Sequence, residues 1–111
     1  MDSLLKDYVN IVAKTLPISE PIYEFGSLLT PGQEKFEDLR RFFHGKKYVG
    51  CDIRPGPGVD LIMDLHKIEI PSESVGTVLL LNTIEHVEAF WVVMSGVFRI
   101  IQPGNFFRIL L

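Results

Sequence analysis

The sequence lacks the features that mark secreted, membrane-spanning and nucleic-acid-binding chains. Its single cysteine, Cys51, excludes an intramolecular disulfide. The acidic beginning MDSLLKDY has neither the basic region nor the apolar core of a signal peptide. The apolar runs are too short or too interrupted to cross a bilayer. A formal net charge of -3 gives no field that would attract nucleic acid or anionic lipid. We therefore expect a cytoplasmic protein that binds no membrane and, by default, no nucleic acid.

Two motifs that would carry chemistry are also absent. Gly26 is followed by the residues SLLTP at positions 27–31, so the chain has no G-x-G-x-x-G turn for a pyrophosphate. A nucleotide-cofactor oxidoreductase is therefore the least favoured of the functions considered. His44 and His66 have no partners at metal-ligand spacing, and we predict no metal site.

The chain does contain the composition and pattern of one α/β domain. Its 111 residues are 47% hydrophobic and 23% charged, which is ordinary for a globular protein. The hydrophobic spacing predicts helices over 3–16, 31–43 and 87–102, and strands over 22–25, 48–53, 60–63, 76–83 and 106–111. Alternation of strands with helices favours parallel pairing with right-handed crossovers. The predicted fold class is a three-layer α/β domain with an open parallel sheet of about five strands.

The same pattern predicts where several side chains lie. Arg40 and Arg41 fall on the solvated face of the helix predicted over 31–43. Phe90 and Trp91 are expected to pack the helix after the fourth strand onto the sheet. Cys51, within the second strand, is expected to be a small buried hydrophobe rather than a nucleophile.

Acidic and amide side chains follow the predicted strands where a ligand would bind. In open parallel sheets the ligand lies beyond the carboxyl ends of the strands, and the sequence places Glu24, Asp52, Asp64, Asn82 and Glu85 there. Such a rim would repel a pyrophosphate, but it can accept hydrogen bonds from hydroxyl, amino and ammonium groups. S-adenosylmethionine carries an ammonium, a sulfonium and a carboxylate but no phosphate, and it matches this set of acceptors.

Four segments together resemble the class I S-adenosylmethionine-dependent methyltransferases of the small-domain type with an EHV segment after strand four. These segments are YEFGS, YVGCDIRPGPGVDLIMDLH, SVGTVLLLNTIEHVE and FRIIQPGNFF. The resemblance implies a Rossmann-like sheet in the order 3-2-1-4-5 and S-adenosylmethionine as the cofactor. It divides the chain into an N-terminal helix, residues 1–19, and a cofactor-binding domain, residues 20–111. Two further strands are usual in this family, so the resemblance implies a chain that is truncated at its C-terminal end.

The resemblance also assigns roles to the residues at the strand ends. It implies that Glu24 orients the methionine amine, that Gly26 lets the backbone approach the ligand and that Asp52 binds the ribose. Ile53 would lie against the adenine, and Asp64 would hold the adenine edge together with the next residue. The complete implied cofactor-binding set is Glu24, Phe25, Gly26, Ser27, Asp52, Ile53, Asp64, Leu65, Asn82 and Thr83.

The loop after the first strand departs from the family pattern. Leu28 and Thr30 stand where further glycines are usual. This departure, with the missing strands, leaves open a non-catalytic binding or scaffolding module, or a fragment that is active only with missing segments or a partner chain. The methyl acceptor is not indicated by any part of the sequence.

Two further features carry open hypotheses. Glu85 and His86 are candidates for a general acid or base beside the transferred methyl group, although a dipole-stabilised Glu and a packed His are the commoner outcome. The last strand, FFRILL, would leave an apolar edge without a neighbour. This edge predicts a homo-oligomer formed through the C-terminal strand.

Overall fold

The computed structural model describes residues 3–29, 38–81, 83 and 87–110. Within these residues the elements are α1 (Ser3–Thr15), β1 (Ile22–Phe25), β2 (Tyr48–Asp52), β3 (Leu61–Ile62), β4 (Thr77–Leu79), α2 (Phe90–Ile100) and β5 (Ile109–Leu110). Single 3-10 turns precede β2 at Arg40–Phe43 and β5 at Phe106–Arg108. Neither α1 nor α2, in this part of the chain, has the length and apolar composition that crossing a membrane requires.

The five strands form one parallel sheet in the order β3-β2-β1-β4-β5. Ile22 of β1 lies opposite Tyr48 of β2 on one side and Thr77 of β4 on the other. The predicted α/β class, the strand order and the parallel pairing are therefore confirmed. Because parallel strands all end at the same edge of a sheet, the segments that follow β1 to β4 converge there.

Side chains alternate between the two faces of the sheet and enter two separate cores. On the α2 face, Phe25 of β1 packs with Val93 and Val97 of the helix, and all three are fully buried. On the α1 face, Ile22 packs with Val9 of the helix, and both are fully buried. Helix, sheet and helix thus form three layers, and each such buried side chain contributes about 1.5–3 kcal/mol of burial free energy.

The helix predicted over 31–43 is wrong at its C-terminal end. Asp38 and Leu39 are not helical, and Arg40–Phe43 form a 3-10 turn. The turn is ordered by side chains rather than by helix length, because the backbone N–H of Arg40 donates to the Asp38 carboxylate at 3.0 Å and Phe43 is buried. The remainder of that prediction, residues 31–37, lies outside the described residues.

The expectation that Phe90 and Trp91 pack on the sheet is also wrong. Their side chains are 54% and 65% exposed. Trp91 precedes Val93 by two residues, which is about 200° around the helix, so the sheet-facing position of Val93 turns Trp91 to the outside. Phe90 is the first residue of α2, and its ring contacts the Trp91 ring edge-on at 5.8 Å between centroids.

The strands are shorter than the apolar runs that predicted them. β4 covers Thr77–Leu79 of the run predicted over 76–83, and β5 covers Ile109–Leu110 of the run predicted over 106–111. Phe106–Arg108 form a 3-10 turn because the backbone N–H of Arg108 returns to the carbonyl of Asn105 at 2.8 Å. Association through the C-terminal strand edge stays a prediction.

Gly50, in the middle of β2, is where the sheet tolerates no side chain. A Cβ there would lie 2.1 Å from the carbonyl oxygen of Gly58 and 2.6 Å from Oγ of Ser27. We expect Gly50→Ala to lower the free energy of unfolding by about 3 kcal/mol, because the added methyl overpacks two loops at once. Urea denaturation measures this loss.

The control for Gly50→Ala is Gly45→Ala. Gly45 has a φ of +79°, but an added Cβ meets nothing within 4 Å. Gly45→Ala therefore introduces backbone strain of about 1–2 kcal/mol without any clash. Equal losses in the two variants would contradict the close approach at Gly50.

Candidate functional site

A cleft of about 580 Å³ opens at the carboxyl edge of the sheet. Its walls are the segments that follow β1, β2, β3 and β4, together with the residues that lead into α2. The volume lies within the range of small-molecule sites, and the place is where parallel sheets bind ligands.

Six of the ten predicted cofactor-binding residues line this cleft. They are Gly26, Asp52, Ile53, Asp64, Leu65 and Thr83. Each comes from a strand end or from the two residues that follow it, except Leu65, which lies three residues beyond β3, and Thr83, which lies four beyond β4. Asn82 and the catalytic candidates Glu85 and His86 lie outside the described residues.

Three predicted residues, Glu24, Phe25 and Ser27, are not among those that line the cleft. Phe25 is fully buried in the α2-side core. Ser27 is 2% exposed, and its hydroxyl donates to the carbonyl oxygen of Gly58 at 2.7 Å. Glu24 alternates with Phe25 along β1 and lies on the α1 side of the sheet.

Five lining residues were missed by the sequence reasoning: Arg54, Met63, His66, Val87 and Glu88. The first three are direct neighbours of predicted residues in the chain. Arg54 follows Ile53, Met63 precedes Asp64 and His66 follows Leu65. That adjacency was the signal available in the sequence. Val87 and Glu88 end the segment SVGTVLLLNTIEHVE that contributes to the family resemblance, but the resemblance assigned them no role.

Gly26 ends β1 in a conformation that suits glycine. Its φ is +81°, and an added Cβ would lie 2.5 Å from Oγ1 of Thr83. The Thr83 hydroxyl donates to the carbonyl of Phe25 at 2.9 Å, which ties the segment after β4 to the end of β1. The close approach at Gly26 is therefore made by the protein's own Thr83.

The carboxylate of Asp52 organises both loops beside it. Its Oδ2 accepts a hydrogen bond from the backbone N–H of Leu28 at 3.1 Å, and its Oδ1 accepts one from the backbone N–H of Arg54 at 3.2 Å. A carboxylate has about four acceptor positions, so each oxygen keeps one for a ligand. Asp52 is therefore held in a fixed orientation with acceptor capacity facing the cleft.

Glu24 belongs to a polar cluster on the α1 side of the sheet. Its carboxylate accepts a hydrogen bond from the Tyr48 hydroxyl at 2.6 Å. The guanidinium of Arg40 lies 5.2 Å from the centre of the Tyr48 ring and donates to Asp60 at 2.5 Å and to the Gly58 carbonyl at 3.0 Å. The expectation that Arg40 is merely solvated is therefore wrong, because it joins the 3-10 turn to the loop after β2.

Burial sets the protonation of this cluster. It raises the pKa of Glu24 to about 7, although the hydrogen bond from Tyr48 and the charge of Arg40 act in the opposite direction. Burial also raises the pKa of Tyr48, which keeps the phenol protonated as the donor. Near neutral pH the carboxyl group of Glu24 is thus partly protonated and partly ionised.

Asp64 and His66 form the part of the cleft that follows β3. Oδ1 of Asp64 accepts a hydrogen bond from the backbone N–H of His66 at 2.9 Å and lies 3.0 Å from the same residue's Nδ1. The backbone hydrogen bond, with that from the ring, lowers the pKa of Asp64. Asp64 therefore caps its own turn, as acids before loops often do, and also lines the cleft.

Acidic side chains outnumber basic ones among the residues that line the cleft. Among the lining residues, the carboxylates are Asp52, Asp64 and Glu88, and the cationic side chains are Arg54 and, when protonated, His66. Exposed Ile53 adds an apolar wall. Across residues 3–29, 38–81, 83 and 87–110, no three side chains of His, Cys, Asp or Glu converge to hold a metal ion. The arrangement suits a ligand with hydroxyl and cationic groups and a flat apolar ring.

We expect the pH dependence of stability to report the half-buried Glu24. Its folded-state pKa of about 7 lies above the ordinary value of 4.5, so the folded state binds the proton more tightly. Stability should therefore fall as the pH rises from 4.5 to 7, by at most about 3 kcal/mol. Urea denaturation at pH 5, 6, 7 and 8 measures the slope.

The Glu24→Gln variant isolates this contribution. Glutamine keeps the acceptor for Tyr48 but does not titrate, so the slope between pH 5 and 7 should flatten relative to the wild type. The pKa of His66 is also raised and adds a slope of the same sign, so the difference between the two proteins is the quantity measured. Glu69→Gln, at an exposed acid, is the control. A wild-type slope in Glu24→Gln would contradict the assignment.

The fold is similar to those of solved methyltransferases. The trans-methyltransferase CalH, crystallised in complex with SAH, matches with a TM-score of 0.60 and 19% sequence identity, over 88% of this chain and 33% of CalH. A provisionally assigned S-adenosyl-L-methionine-dependent methyltransferase from Methanococcus maripaludis matches with a TM-score of 0.60 and 12% identity, over 92% of this chain and 51% of that protein. This chain therefore spans about a third to a half of the length of these neighbours. No protein-family model matches the sequence, and neither does any curated protein.

Proposed function

We propose that the cleft binds S-adenosylmethionine and that the domain transfers its methyl group to an acceptor. The observation that carries this proposal is the pair of acids Asp52 and Asp64. Asp52 is the last residue of β2, Asp64 lies two residues beyond the adjacent β3, and both line one cleft of about 580 Å³. The methyltransferase fold of the neighbours supports it.

The residues present fit the chemistry of this cofactor. The two free acceptor positions of Asp52 suit the two hydroxyls of a ribose, and hydrogen bonds to a carboxylate are about twice as strong as neutral ones. Exposed Ile53 offers an apolar surface to the adenine, and Oδ2 of Asp64, beyond the turn that Oδ1 caps, suits its amino group. The acidic excess of the cleft matches a ligand that carries an ammonium and a sulfonium without phosphate.

Two of the predicted residues receive a different role in this proposal. Ser27 holds the loop after β1 through the Gly58 carbonyl, Glu24 links β1 to β2 through Tyr48, and neither lines the cleft. An ordered loop keeps Asp52 and Gly26 in place. The methionine end of the cofactor would bind beside Gly26, Thr83 and the predicted Asn82.

Bound S-adenosylmethionine supplies an electrophilic methyl group. The chain's own contribution is to orient the cofactor through Asp52 and Asp64 and to exclude water with Ile53 and Leu65. Transfer of this kind can proceed largely by positioning donor and acceptor in line. The EHV segment, the general acid or base role of Glu85 or His86, and the C-terminal truncation stay predictions.

The proposal predicts a specific loss of affinity in Asp52→Asn. The amide keeps the shape of the side chain but loses the charge and one of the two acceptor oxygens, so binding of S-adenosylmethionine and of SAH should weaken about tenfold or more. Isothermal titration calorimetry at pH 7.5 measures both constants, and a thermal melt checks that the loop held through Leu28 still folds.

The control is Asp7→Asn, at an exposed acid on α1. It makes the same chemical change away from the cleft and should leave both binding constants unchanged. Absence of binding by the wild-type chain, or equal affinities of the wild type and Asp52→Asn, would overturn the proposed site. Binding without transfer to any acceptor would instead favour the non-catalytic alternative.

A further inference from the structure

His66 contacts both walls of the cleft. Its Nδ1 lies 3.0 Å from Oδ1 of Asp64, in the loop after β3. Its Nε2 lies 2.5 Å from the carbonyl oxygen of Glu88, in the segment that leads into α2. These two segments are separated by 22 residues in the chain, and His66 is a side-chain contact between them. The imidazole therefore links two of the segments that line the cleft.

The chemistry of the two contacts selects one protonation state. A carboxylate and a carbonyl oxygen are both acceptors and cannot donate. Neutral imidazole has one N–H, so it would satisfy one contact and place a lone pair against an acceptor at the other. The imidazolium has two N–H groups and donates to both.

We propose that His66, as an imidazolium, is a positioning residue that ties the loop after β3 to the segment before α2 and so holds Asp64 in its cofactor-binding orientation. This inference rests on the proposed function of the cleft. It makes the affinity for the cofactor depend on pH, because loss of the proton breaks one of the two contacts and separates the walls.

The surrounding charges act in the same direction. The hydrogen bond to the Glu88 carbonyl, with that to Asp64, raises the pKa of His66 above its ordinary value of 6.5. The carboxylates of Asp64 and Glu88 also favour the cation. Asp52 and Arg54 line the same cleft with opposite charges. Lys67 and Glu69, next in the chain, form their own exposed pair at 4.0 Å. Glu85 and His86 lie outside the described residues.

Two measurements test the inference. The first is the ¹⁵N chemical shift of the His66 ring nitrogens in the unliganded protein between pH 5 and 9. Both nitrogens should stay protonated above pH 6.5, the ordinary imidazole value. A His66 ring that is neutral at pH 6.5 would overturn the proposal.

The second is the dissociation constant of SAH by calorimetry across the same pH range. Affinity should fall by at least about fivefold as the pH rises through the His66 titration, which corresponds to a modest coupling between sites. His66→Gln should lose this dependence and bind at all pH values with the weaker affinity. His44→Gln changes an exposed histidine in the turn before β2, away from the cleft; this control should keep the wild-type pH profile. The amine of SAH also titrates, but equally in every variant, so the difference between variants is the quantity measured.

The possible outcomes separate this inference from the proposed function. An identical pH profile in wild type and His66→Gln, with SAH bound by both, would overturn the positioning role while the cofactor site stands. Failure of the wild-type chain to bind SAH at any pH would overturn the proposed function and the coupling together. A His66 titration midpoint above pH 6.5, together with a pH dependence of SAH affinity that disappears in His66→Gln, supports the inference.

Discussion

The cleft depends on the hydrogen bonds that attach the loop after β1 to the end of β2. The backbone N–H groups of Gly26 and Ser27 both donate to the carbonyl of Cys51, at 2.8 and 3.0 Å, and the next N–H, of Leu28, donates to the Asp52 carboxylate. Three successive backbone N–H groups thus donate hydrogen bonds to the last two residues of β2. Because the same carboxylate lines the cleft, the loop that closes the first strand and the acid proposed to bind ribose are fixed by one set of contacts.

This attachment explains why the loop after Gly26 contains so little glycine. The glycines lie on the opposite loop instead, where added Cβ atoms at Gly56 and Gly58 would meet Leu28 at 2.5 Å and the Ser27 carbonyl at 2.5 Å. Gly58 also has a φ of +85°. The two loops therefore pack closely because one is glycine-rich and the other carries leucines. Amides bonded within the protein are not free to cradle phosphate, which agrees with a ligand that has none.

The sequence predicted the parts of this molecule that local pattern determines. Apolar runs and turn residues located the five strands of the described residues. The rule that parallel sheets bind ligands at their carboxyl edge predicted Asp52 and Asp64 at one edge, and both line the cleft. The directions of Glu24 and Arg40 were not predictable, because their partners Tyr48 and Asp60 lie 24 and 20 residues away. Helical periodicity also failed at Trp91, since the register of α2 is set by which residues the sheet buries.

Glu24 and His66 make separate sets of contacts, and the pKa values of both are raised in the folded state. Glu24 is neutral when burial dominates, and the His66 ring is cationic when both of its neighbours accept hydrogen bonds. A proton on Glu24 removes a negative charge on the α1 side of the sheet, and a proton on His66 adds a positive charge to the lining of the cleft. Both changes weaken the attraction for a cationic ligand through space, yet the proton on His66 also supplies the second N–H of the contacts proposed to hold the loop that carries Asp64. Charges at this exposure are screened by solvent while hydrogen-bond geometry is not, so under the proposed role of His66 the order of Asp64 outweighs the small change in field.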